Sequence, residues 1–128
     1  MTTLLLDTHI ALWMLSEPDR LGVNARAAIA RADNDVVLSV ASVWEASIKA
    51  AQGRLRAPDS VWDELERSGV RLIPIERADA VEAASLPMHH RDPFDRMLVA
   101  QARERSAVLV TVDSWARAYE VRSLAANL

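Results

Sequence analysis

Cysteine is absent from this chain, which excludes a disulfide framework and a thiolate-held zinc site. Lysine is nearly absent: Lys49 is the single one, so 14 of the 15 basic residues are arginine. The planar arginine fork suits phosphate, but an arginine-rich, GC-rich coding background gives the same bias, so the excess alone assigns no ligand. Phe and Tyr occur once each against four Trp. Trp13, Trp44 and Trp62 fall in helical stretches with apolar neighbours, which reads as core or interface packing rather than base stacking. No run approaches the ~18 apolar residues of a membrane span. The N-terminus also lacks a basic region followed by a long apolar one. A soluble cytoplasmic protein with no membrane partner is therefore expected. The net charge of −3 supplies no global attraction for nucleic acid. Repeats, low-complexity tracts and linkers are missing as well.

What is present is a core. At 51 % hydrophobic over 128 residues, the chain is expected to fold as one domain spanning 1–128. Short apolar runs read as strands at 3–6, 36–38 and 108–112, with a strand interrupted by Pro74 at 70–75 and a last one near 119–124. Helices are expected over 9–16, 22–33, 39–51, 60–68, 77–86 and 93–105. Caps and stops mark several of them: Pro58-Asp59-Ser60 and Asp92-Pro93 as starts, Gly53 and Gly69 as ends. Alternation of this kind predicts an α/β domain whose central sheet is mainly parallel, with four to five strands flanked by helices.

Within that pattern four acids adjoin strongly apolar sequence. Asp7 ends LLLD, Asp113 ends VLVTVD, Glu45 lies inside SVASVWEASIK, and Asp95 lies inside DPFDRMLVAQA. Ligands of open α/β sheets bind at the carboxyl ends of strands. Asp7 and Asp113 each fall at such an end, Glu45 in the helix after the second strand, and Asp95 in the first turn of a later helix. All four are thus expected on one sheet edge. Two like charges ~4 Å apart repel by about 4 kcal/mol at an effective dielectric near 20, and a divalent cation would offset that cost.

Each acid also has a plain structural reading. Asp7 suits a helix cap, and Glu45 can pair with Lys49 four residues on, worth a few tenths of a kcal/mol. Asp113 fits a turn. Asp92 reads as an N-cap with Pro93 at the first helical position, so Asp95 can reach back to the cap backbone or favour the helix dipole. His89 and His90, being adjacent, lack the i,i+4 spacing of a helical zinc pair, while His9, just past Asp7, is expected to line the same pocket.

Taken in order, LLLDTH, SVASVWEASIK, DPFDRMLVAQA and LVTVDS resemble the motifs of the PIN-domain family, and more narrowly those of the VapC-type toxins of bacterial toxin–antitoxin pairs. The resemblance covers essentially the whole chain. It implies a Mg²⁺- or Mn²⁺-dependent endoribonuclease whose acidic cluster falls on Asp7, Glu45, Asp95 and Asp113. Asp7, Asp95 and Asp113 would be metal ligands, and Glu45 a ligand or the group that orients the attacking water. Thr8 matches the small polar residue beside the first acid, and Arg91 and Arg96 are candidate contacts to substrate phosphates. The same resemblance implies an RNA substrate, a cognate small DNA-binding antitoxin and a homodimer built on apolar helices around Trp13 or around Val43 and Trp44. Two competing readings are a non-catalytic binding module and a receiver-like signalling domain. The receiver reading needs paired acids after the first strand and a lysine after a late strand, whereas Leu6 precedes Asp7 and Lys49 lies mid-chain.

Overall fold

The first strand of the chain becomes the centre of the sheet. In the computed structural model, which describes residues 1–128, five strands run parallel. They are β1 (Thr3–Leu6), β2 (Asp35–Ser39), β3 (Arg71–Ile73), β4 (Val108–Thr111) and β5 (Ser123–Ala125), in the order β3-β2-β1-β4-β5. β1 pairs with β2 through Leu4 opposite Val36, and with β4 through Leu5 opposite Leu109. The chain therefore winds outward from β1 in both directions, and the order reverses between β1 and β4.

Six helices cover the sheet: α1 (Thr8–Ser16), α2 (Val23–Ala30), α3 (Val40–Ala51), α4 (Ser60–Arg67), α5 (Arg77–Ser85) and α6 (Pro93–Glu104). Successive strand residues point to opposite faces. Leu4 and Leu6 accordingly join Ile10, Leu38 and Leu65 under α1, α2 and α4, while Leu5 joins Val37, Leu98, Val99 and Leu109 under α5 and α6. This two-sided burial is why the first strand is apolar without alternation. Helix α3 packs against both α1 and α6, so it bridges the two layers at the sheet edge where β1 and β2 end.

Boundaries follow local chemistry. The Ser39 hydroxyl accepts from Ala41 N at 3.0 Å and starts α3. Asp92 Oδ1 accepts from Phe94 N and Asp95 N at 2.9 and 3.1 Å, with Pro93 opening α6. Two segments differ from expectation. The last strand lies at Ser123–Ala125 rather than 119–124, because Ser114–Ala118 forms a 3₁₀ turn and Tyr119 is buried with its hydroxyl bonded to Pro87 O. A second 3₁₀ turn, Pro18–Arg20, interrupts the stretch between α1 and α2. No helix is long and apolar enough to cross a membrane.

Candidate active site

In open α/β sheets the ligand crevice lies outside the carboxyl ends of the strands where their order reverses, here between β1 and β4, and the first acids stand there. Asp7 follows β1 directly, its N–H bonded to Val110 O of β4 at 2.9 Å. Its side chain is only 4 % exposed and accepts from Thr111 Oγ1 at 2.7 Å. The same Thr111 hydroxyl accepts from Asp113 N at 3.1 Å. One hydroxyl at the end of β4 thus orients Asp7 and fixes the backbone that presents Asp113, which is solvent-exposed.

Glu45 enters from α3 and is buried. Thr8 Oγ1, from the first residue of α1, donates to Glu45 Oε1 at 2.7 Å and lies 2.8 Å from the Ser42 hydroxyl. Lys49 Nζ donates to Glu45 Oε2 at 2.8 Å. The expected i,i+4 pair therefore exists, but on a buried carboxylate rather than on a solvated helix face. Thr8 is buried too, so its hydroxyl serves Glu45; this corrects its assignment as a substrate contact.

Asp95 is the third residue of α6. Its carboxylate does not return to the cap backbone; Oδ2 instead lies 2.7 Å from His90 Nε2. The His90 ring stacks on Trp115 at 4.9 Å and 6°. Asp92 is the cap that its sequence position predicts. Arg96 also differs from expectation. Its guanidinium is buried and donates to the carbonyls of Ala83, Leu86, Pro87 and His90, so it braces the 83–90 segment rather than facing a substrate. Arg91 is exposed and makes no ion pair.

The electrostatics tie these acids into one group. Burial pushes the Asp7 carboxyl above its ordinary value; the Thr111 hydrogen bond opposes this, and the charge of Asp113 adds to it. Asp95 is pushed up to about 7, first by burial, against the His90 hydrogen bond and with the charges of Asp92, Asp7 and Glu45. Asp95 thus senses Asp7 and Glu45, and Asp7 senses Asp113. As the side chains stand, no trio of Asp, Glu or His closes into a ligand set. Glu45 and Asp95 are instead turned onto Lys49 and His90. A donor set of carboxylate oxygens, in which Asp7 and Asp95 are destabilised as anions by burial and by neighbouring acids, fits a hard divalent cation.

Thr111 and Trp115 escaped the sequence reading, and His90 was weighed only as half of a zinc pair, not as the partner of Asp95. The available signal for Thr111 was a hydroxyl at the end of an otherwise apolar strand, two residues before an acid. Nothing local pairs His90 with Trp115.

Comparison with known proteins bears on the family and the fold. The family signature described as PIN domain matches residues 4–121. The chain is 37 % identical to Ribonuclease VapC22 of Mycobacterium tuberculosis over 122 residues, covering 93 % of each sequence. Among solved structures, VapBC2 from Rickettsia felis bound to a promoter DNA fragment aligns with a TM-score of 0.72 at 15 % identity, over 96 % of this chain and 98 % of that one. A toxin–antitoxin complex from Klebsiella pneumoniae aligns at 0.62 with 18 % identity, over 94 % of each chain. At those identities the structural likeness is one of fold. The chain belongs to the PIN-domain family, in its VapC group.

Proposed function

We propose that this protein is a divalent-metal-dependent endoribonuclease acting as the toxin of a toxin–antitoxin pair. The observation that carries the reading is the convergence of buried Asp7 and Glu45 with half-buried Asp95, close enough that the charges of the first two help push Asp95 up to about 7. Mg²⁺ or Mn²⁺, when bound, supplies a Lewis acid that makes water nucleophilic near neutral pH and stabilises charge on phosphoryl oxygens. Asp7, Asp95 and Asp113 are the proposed holders of the ion. Glu45 either joins them or accepts a hydrogen bond from the attacking water and so orients it. Thr111 and Thr8 keep Asp7 and Glu45 in fixed orientations through their 2.7 Å hydrogen bonds. Arg91 is the proposed exposed contact to substrate phosphate.

The substrate class is RNA, by membership beside a named ribonuclease, and single-stranded loops are the form whose backbone such an edge can reach. The partner is a cognate small DNA-binding antitoxin whose C-terminal segment covers the acidic crevice. A homodimer is proposed on the α3/α6 face rather than at Trp13. Trp44 is 60 % exposed and meets Phe94 edge-on at 5.2 Å, above an apolar cavity of about 170 Å³ that also touches Ile75 and Met97. Trp13 instead packs against the core beneath Arg20.

Cleavage of end-labelled RNA in Mg²⁺, with and without chelator, tests the activity. Wild type is expected to cut and Asp7→Asn to be inert. Equal cleavage by both, or none by a folded, ion-supplied wild type, contradicts it. Expressed alone, the chain should slow growth, and its antitoxin should relieve that arrest.

A further inference from the structure

We propose that Lys49 is a phosphate-binding residue that positions RNA against the acidic crevice; the inference rests on the ribonuclease reading above. The plain alternative is an ordinary helical ion pair with Glu45, worth a few tenths of a kcal/mol when both partners are solvated. The surroundings differ from that case. Glu45 is buried, and the Lys49 side chain is itself only 25 % exposed. Its ammonium is therefore held at the acidic edge rather than waving in solvent.

Three further observations point to an anion. First, an ammonium has three donors, and the protein supplies Lys49 with one acceptor, Glu45 Oε2, so the others are not taken up by the fold. Second, Glu45 does not depend on Lys49 alone, because Thr8 already fixes Oε1. Third, the neighbouring arginine of α6, Arg96, has its guanidinium occupied by backbone carbonyls and cannot serve. A polyanion approaching Asp7, Glu45, Asp95 and Asp113 meets net negative charge, and Lys49 is the cation bonded directly into that group. Its identity fits the task. Every other basic residue is arginine, whose fork favours two parallel bonds to one partner, whereas a compact ammonium can bridge Glu45 and a phosphate oxygen together. A phosphate bound there lies beside Glu45 and the proposed metal site.

The test compares wild type, Lys49→Met and Lys49→Arg on a labelled pool of mixed-sequence single-stranded RNA. KM and kcat are measured with Mg²⁺, RNA binding against salt in the inert Asp7→Asn background, and Mn²⁺ affinity by calorimetry. Lys49→Met should raise KM about tenfold, as expected for a lost charge-assisted contact, and flatten the salt dependence of binding by about 0.7. Lys49→Arg should restore the salt dependence, which follows charge, but only part of the KM, which needs the bridging geometry; Mn²⁺ affinity should stay equal or tighten. Unchanged KM and salt slope would leave only a helix pair and overturn the proposal. A loss of Mn²⁺ affinity parallel to the loss of activity would also overturn it, by showing that Lys49 acts through Glu45. Failure of wild type to cleave any RNA would instead strike the ribonuclease reading, and this inference with it.

Discussion

Asp79 and Asp7 are buried almost equally, at 1 % and 4 % exposure, yet their surroundings are opposite. Asp79, in α5, accepts from Arg105 Nη1 and Nη2 at 2.7 and 3.0 Å and from Glu76 N at 2.8 Å. Burial raises its carboxyl, but the Arg105 hydrogen bonds, the Glu76 N–H and the Arg105 charge together carry it below the ordinary value. Asp7 has a single hydroxyl and further acids around it, and its carboxyl is raised. Solvent exposure alone therefore does not separate these two acids. Compensation does: Asp79 joins α5 to α6 with the resident cation Arg105, whereas Asp7 has no ion-pair partner and faces further acids, as the proposed metal site requires.

The largest effect that sharpens this contrast is catalytic. Asp7→Asn or Asp95→Asn should lower RNA cleavage by at least about a thousandfold, with far-ultraviolet circular dichroism unchanged. Asp79→Ala should act on stability instead. Removing one partner of a buried pair costs about 3 kcal/mol, or a fall in Tm of about 10 °C, with the Mn²⁺ affinity of the folded protein unaltered. A smaller effect concerns pH. Asp95 has a folded pKa raised from 3.8 to about 7, so the folded state holds its proton longer than the unfolded chain does. Its contribution is favourable below the unfolded value and is lost as pH rises toward the folded one. Metal-free Asp95→Asn should therefore gain Tm over wild type as pH climbs from 4 to 8. The wild-type and Asp79→Asn curves should diverge in the opposite sense, because the lowered Asp79 carboxyl stabilises above its unfolded pKa and that benefit is lost on acidification. Thr111→Val should give the smallest change, about a tenfold loss of Mn²⁺ affinity from misorienting Asp7.

The sheet, its direction and the placing of Asp7 and Asp113 were legible because each depends on local pattern: an apolar run, then an acid at its end. The cap at Asp92 was legible for the same reason, whereas Ser39, expected inside its helix, turned out to cap it. What escaped depends on partners distant in sequence or on backbone atoms. Thr111 reaches Asp7 across 104 residues, and the stacking of His90 on Trp115 follows from the 3₁₀ turn that also displaced the last strand. Arg96 looked like a phosphate ligand because its acceptors are main-chain carbonyls of the 83–90 segment, which a sequence does not display. Glu45 was recognised from its apolar neighbours, but its hold on Thr8 required the contact of α3 with α1.

The most direct test is the rise in Tm produced by Mn²⁺ in wild type, Asp95→Asn and Asp79→Asn at one pH. Ligand that binds only the folded state at a hundredfold excess over its Kd adds about 2.7 kcal/mol. Wild type and Asp79→Asn should gain the same increment from different starting temperatures, and Asp95→Asn should gain almost none. An Asp95→Asn protein stabilised as much as wild type would contradict the assignment of the crevice as the metal site.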